Sequence, residues 1–126
     1  MNDTAYQNEE RRFALRMALR LPIVVSGATD DGARWSEPPE TDDISTTGLS
    51  FHLSQKISVG EKLYIRGHHP DGSPSKIAVS VVRESPAIYG TARLGVQIID
   101  KTEDWMRFFV SWIADQQTTA QTQAHE

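Results

Sequence analysis

The sequence predicts an all-β domain, a small antiparallel barrel or sandwich, followed by a single C-terminal helix. Apolar residues recur at every second position in five separate stretches, the period of a strand with one face on a core. No helical pattern separates these stretches, which argues against alternating strands and helices around a parallel sheet. After Asp100 the pattern changes to a helical one. The 126 residues form one domain, and the absence of cysteine excludes disulfides, zinc–thiolate sites, iron–sulfur clusters and a thiol nucleophile. A domain of this size buries roughly two thirds of its unfolded surface and needs no such staple.

The first alternation is Met17, Leu19, Leu21, Ile23 and Val25, with Pro22 on the opposite face, where it favours an edge or a bulge. Leu49, Phe51 and Leu53 alternate with Ser50, His52 and Ser54. Leu63 and Ile65 begin a third strand after the Ser58-Val59-Gly60 turn, and Ile77, Val79 and Val81 form a fourth. Between these two, His69-Pro70-Asp71-Gly72-Ser73-Pro74 carries the Pro-Asp-Gly core of a tight turn and predicts a hairpin. Leu94, Val96 and Ile98 make the fifth, entered through a connection holding Pro86 and Gly90.

Thr102 is the expected cap of the helix, with Glu103 and Asp104 at the positive end of its dipole. Trp105, Met106, Phe108, Phe109, Val110, Trp112 and Ile113 give the helix, expected to end near Gln116, an apolar stripe wider than one contact requires, which reads first as a helix closing one end of the barrel. Residues 1–9 read as a flexible arm, 10–116 as the domain, and 117–126 as a polar, disordered tail.

The formal net charge of −4 argues against DNA or RNA as partners, because a polyanion needs a basic face to release its counterions. The charge is unevenly spread. Residues 9–20 carry Arg11, Arg12, Arg16 and Arg20 against Glu9 and Glu10, whereas residues 30–43 form an acidic loop of six carboxylates against Arg34. Neither a secretory signal nor a membrane-length apolar run is present, so a cytoplasmic location without membrane insertion is expected.

Two segments carry possible chemistry. Arginine forks can grip a phosphate or the O6 and N7 edge of guanine, and in an extended arm Arg12 and Arg16 stand about 13 Å apart, within reach of different parts of one nucleotide-sized ligand. The second segment is Asp43-Ile44-Ser45-Thr46-Thr47-Gly48. Asp43 can accept from the N1 and N2 donors of guanine, Ser45 can donate or accept, and Gly48 permits a turn that a β-carbon would block. An Asp or Ser turn leading into a strand is the structural alternative.

The pairing of Arg12-x-x-x-Arg16, a strand, and Asp43-x-Ser45-x-x-Gly48 in a small all-β pattern resembles the PilZ domain family of bacterial cyclic di-GMP receptors. The resemblance covers roughly Glu10 to Ile113, with secondary likenesses at Val81-Val82-Arg83 and Leu94-Gly95-Val96-Gln97-Ile98. It implies a six-stranded antiparallel β-barrel with a C-terminal α-helix, and a non-catalytic effector that binds cyclic di-GMP as ligand, with no cofactor and no metal. It also implies that Arg12 and Arg16 hold guanine and phosphate from a mobile arm whose conformation and partner contacts change on binding. Asp43 and Ser45 would contact the ligand from the barrel surface, and Gly48 would keep the turn tight. Arg11 would add a stacking or phosphate contact.

A second reading is a PilZ-like adaptor that binds a partner protein or second protomer through the Trp105, Phe108, Phe109 and Trp112 helix face. A hydrolase built on Asp43, Ser45 and His52 lacks an oxyanion or elbow signature. Asp42 and Asp43 would point apart on an extended strand, as would His68 and His69, which argues against a metal site.

Overall fold

The computed structural model describes residues 16–86 and 89–124. Its elements are β1 (Arg16–Met17), β2 (Val24–Ala28), β3 (Arg34–Glu37), β4 (Thr41–Ser45), β5 (Gly48–Leu53), β6 (Lys62–His68), β7 (Pro74–Glu84), β8 (Ala92–Ile98) and α1 (Thr102–Ala124). The strands form one antiparallel sheet in the order β1-β4-β5-β8-β7-β6-β2-β3.

The sheet therefore has eight strands in an order that does not close into a ring, rather than the six of the expected barrel. Proline accounts for the difference. Pro22 divides the first alternation into β1 and β2, because its nitrogen cannot donate to a ladder. Pro38 and Pro39 lie in the break between β3 and β4. The two breaks face one another. Pro22 bridges Glu40, Thr41 N–H donates to the Leu21 carbonyl at 2.9 Å, and Ile23 N–H donates to the Pro39 carbonyl at 3.1 Å. Thr41, fully buried, adds its hydroxyl between the Leu19 carbonyl and the Leu21 N–H.

The acidic segment 30–43, expected to be a loop, is instead a turn followed by β3 and most of β4. Few apolar residues mark these strands, since Trp35 is half-buried and Ile44 is the one fully buried aliphatic side chain in them. Hydrogen bonding supplies the rest. The Glu37 carboxylate accepts from Ser54 N–H and Oγ and from Gln55 N–H, at 2.8 to 3.0 Å, tying β3 to the end of β5.

The inward face of the sheet follows the predicted alternations, with Val25, Phe51, Leu53, Leu63, Val79, Val81 and Leu94 fully buried. Helix α1 closes this core with Trp105, Phe108 and Phe109, and Trp105 stacks on Phe108 at 5.2 Å. Of the two readings of the aromatic face, closure of the chain's own core accounts for Trp105, Phe108 and Phe109. Trp112 is half-buried and donates its Nε1–H to the His68 carbonyl at 3.0 Å. Burying these rings against the sheet removes several hundred Å² of apolar surface from water, about 150 to 250 Å² for each.

Two helix boundaries also differ from expectation. Lys101, not Thr102, is the N-cap, for its carbonyl accepts from Trp105 N–H at 3.0 Å while its backbone adopts a left-handed φ of 58°. The helix continues to Ala124, through residues expected to form a tail, and the Gln and Ala residues there are good helix formers.

The β6–β7 hairpin turns as predicted, with Gly72 at φ 89° and His69 N–H bonded to the Ser73 carbonyl at 2.8 Å. Asp71 accepts from Ser73 N–H and Oγ at 2.8 and 2.7 Å, and the serine hydroxyl foremost holds its carboxyl below the ordinary value of 3.8. A depressed folded pKa means that these bonds are intact above the ordinary value and are lost as pH falls through the folded one. A carbon-detected NMR titration should place the Asp71 midpoint below 3.8, with the Ser73 amide shifting in step. A midpoint at or above that value would contradict the turn geometry.

Candidate ligand-binding site

The site begins with a two-residue connection. Ser45 ends β4 and Gly48 starts β5, leaving Thr46 and Thr47 as the loop. The Ser45 hydroxyl accepts from Gly48 N–H at 3.1 Å and Thr47 N–H at 3.3 Å, and lies 3.2 Å from the Gly48 carbonyl. Its backbone carbonyl receives the Trp105 indole N–H at 2.9 Å, so the core helix anchors the same turn. With its hydroxyl occupied inside its own turn, Ser45 has the surroundings of a structural serine and not of a hydrolase nucleophile.

Gly48 is required for a reason other than turn conformation. Its φ is not left-handed, but a β-carbon there would lie 2.0 Å from the Val96 carbonyl oxygen. The β5 and β8 backbones meet at a distance that only glycine allows.

Outward residues then align in rows across the sheet. Asp43 pairs with Ser50, Ser50 with Gly95, and Gly95 with Arg83. The Ser50 hydroxyl donates to Asp43 Oδ1 at 3.0 Å, and Arg93 Nη2 lies 3.2 Å from Asp43 Oδ2. A carboxylate offers about four acceptor positions, so two remain for an incoming donor pair. At the far end of the row, a β-carbon on Gly95 would come within 3.1 Å of Arg83 Nε and Nη2, which places the guanidinium across bare backbone.

A β-bulge between Thr41 and Asp43 changes the expected directions of the two aspartates. With Asp42 as the extra residue, neighbours that would point apart on a regular strand both reach Arg93, Asp42 Oδ2 at 3.5 Å from Nε and Asp43 Oδ2 at 3.2 Å from Nη2. Asp42 Oδ2 also lies 2.9 Å from His52 Nδ1. His52 thus faces outward with Asp42 as its partner, away from any triad with Ser45. Arg93, Ser50 and Asp42 are the members that the motif reading omits. Alternation places Ser50 and His52 on the outer face, but nothing local signals the bulge.

The two motifs meet at the sheet edge. Strand β1 pairs with β4 in a register that sets Arg16 opposite Ser45 and Met17 opposite Ile44. Arg16 is exposed and makes no ion pair among the described residues. Arg11 and Arg12 lie outside the described residues, as does the proposed arm of residues 1–9. Among the described residues no group of His, Asp and Glu could hold a metal ion, and no helix is long and apolar enough to cross a membrane.

Residues 10–115 match the PilZ domain. The chain belongs to the PilZ domain family. No curated protein sequence matches it. Among solved structures, the chain is similar to the Bacillus subtilis inhibitor of motility MotI/DgrA (TM-score 0.62, 13% identity, 85% of this chain and 52% of that one). It is also similar to the K. pneumonia MrkH–c-di-GMP complex (TM-score 0.65, 15% identity, 90% of this chain and 55% of that one). A third likeness is to the PilZ domain of YcgR from Escherichia coli with c-di-GMP (TM-score 0.58, 15% identity, 87% of this chain and 98% of that one). The PilZ chain spans about half the length of MotI/DgrA and MrkH and nearly all of the YcgR domain.

Replacing Gly48 with Ala should destabilise the domain by about 3 kcal/mol or more, since the β-carbon overlaps backbone and cannot rotate away. Urea unfolding measures this, and an unchanged midpoint would show that the β5–β8 approach is looser than described.

Proposed function

We propose that this chain is a non-catalytic receptor for cyclic di-GMP, with Arg11, Arg12, Arg16, Asp43, Ser45 and Gly48 contributing to the binding surface. The observation that carries the proposal is the β1–β4 register, which brings Arg16 of one motif opposite Ser45 of the other. The family match supports it, as do the structural likenesses to MrkH and the YcgR PilZ domain in complex with that dinucleotide.

The chemistry of the site suits this ligand. Two free acceptor positions on Asp43 match the N1 and N2 donors of a guanine edge. The Arg16 guanidinium provides a bidentate grip on a phosphate or on guanine O6 and N7, and Arg11 and Arg12, shortly before it in the sequence, carry the same chemistry. Ser45 contributes by holding the Thr46–Thr47 backbone in place, and Gly48 by keeping the hairpin against β8. Arg83, flat on Gly95, closes the Asp43 row with a surface on which a base can stack. Contact of Arg11, Arg12 and Arg16 with a dianion would couple binding to the conformation of the N-terminal residues, which would give binding a mechanical output.

Calorimetric titration with cyclic di-GMP tests the proposal. The wild-type chain should bind at micromolar concentration or below, with Arg16→Ala and Asp43→Ala each at least about tenfold weaker. Absence of heat, or equal affinity in both variants, would refute it. Arg93→Ala should weaken binding several-fold by releasing Asp43, and Arg93→Lys should restore part of the loss.

A further inference from the structure

We propose that the outer face of β6 and β7, continued into the cleft beside the start of α1, is a docking surface for an acidic segment of a partner protein. Strand β6 turns Lys62, Tyr64 and Arg66 outward between buried Leu63 and Ile65. Across the ladder Arg66 stands directly opposite Lys76. The ammonium groups of Lys62 and Lys76 lie 5.3 and 5.7 Å from the centroid of the Tyr64 ring, which is 39% exposed. Lys76 also lines a cleft of about 280 Å³ together with His69, Lys101, Asp104 and Arg107.

Asp104 is the sole carboxylate lining the cleft, and it meets Arg107 at 3.7 Å with both side chains exposed. Among the described residues, Lys62, Arg66, Lys76 and Lys101 have no carboxylate within 4.0 Å. Like charges directly opposite across a ladder repel, so the Arg66–Lys76 pair leaves the isolated face with a strain that an anion laid across both strands would relieve. Five cations against one carboxylate make this face +4. The remaining 8 basic and 16 acidic residues make the rest of the chain −8.

The geometry selects the occupant. Lys62 to Arg66 spans about 13 Å, too far for one phosphate or sulfate to bridge. An extended peptide presents alternate side chains about 7 Å apart, the spacing of Lys62, Tyr64 and Arg66 along β6. A short run of carboxylates therefore matches the outward positions one for one, while the cleft accepts one more beyond the strand. A membrane or a nucleic acid would extend past the patch onto a remainder of the chain that carries −8 overall. The face is separate from the Asp43 row's motif end, since β5 and β8 lie between β4 and β7.

The test uses the full chain and a fluorescein-labelled hepta-glutamate peptide, followed by anisotropy at low salt. The wild type and Asp43→Ala should bind it equally. An Arg66→Glu, Lys76→Glu double variant should bind at least about tenfold more weakly, with its melting temperature and its cyclic di-GMP titration unchanged. The milder Lys76→Gln should lose about threefold, which keeps the test open if the double variant unfolds. No peptide binding, or equal binding by the charge-reversed forms, would overturn the proposal. So would equimolar inorganic phosphate displacing the peptide. Phosphatidylglycerol vesicles bound in place of the peptide would overturn it in favour of a membrane. A wild-type dimer that the double variant dissociates would overturn it in favour of a second copy of the chain.

Discussion

The carbonyl oxygen of Val96 lies where a side chain at position 48 would begin, and the placement of the proposed binding surface follows from that contact. Because β5 can approach β8 so closely only at glycine, the β4–β5 hairpin is held in one register against the centre of the sheet. That register aligns Asp43, Ser50, Gly95 and Arg83 in one row, with Ser45 and Gly48 at the turn beside it. Strand β1 has only two residues, and it adds Arg16 to the edge that the hairpin already defines. A shift of one residue at β5 would send Ser50 to the opposite face and break the row.

Electrostatics divides the arginines into two kinds. Arg93 is bound on both sides by Asp42 and Asp43 and acts as a fixed internal counterion, whereas Arg16 and Arg83 have no carboxylate partner among the described residues. The fixed cation orients the acid that would receive a guanine edge, and the free cations remain available to a dianion. The proposed anion site is compatible with a total of −4, because what a small anion meets is the cations that the fold leaves unpaired.

Much of this was legible from the residues. The alternations from Leu49 onward, the Pro-Asp-Gly turn and the aromatic helix all correspond to elements, since each buries enough apolar surface to leave a periodic trace. Strands β3 and β4 left none, because Thr41, Glu37 and the proline-flanked bridge are held by hydrogen bonds between residues far apart in sequence. The bulge at Asp42 is a property of pairing, so two adjacent aspartates read as divergent when they converge on Arg93. The helix face, open to two readings as the closure of the core or a docking surface, is a core face at Trp105, Phe108 and Phe109, for a ring's periodicity does not say whether its own sheet or another molecule covers it. Of the binding motif, its spacing was visible in the sequence, while the Arg16–Ser45 pairing and the reason for Gly48 depended on the sheet.

The central claim is that the β1 edge, the Ser45–Gly48 turn and the Asp43–Arg83 row form one binding surface. Amide NMR of the isotopically labelled chain, recorded through addition of cyclic di-GMP, tests it most directly. The largest shifts should fall on Arg16, Asp43, Ser45 through Gly48, Ser50 and Gly95, with those of β3 and the β6–β7 hairpin small. Shifts concentrated away from these residues, or none under saturating ligand, would contradict it.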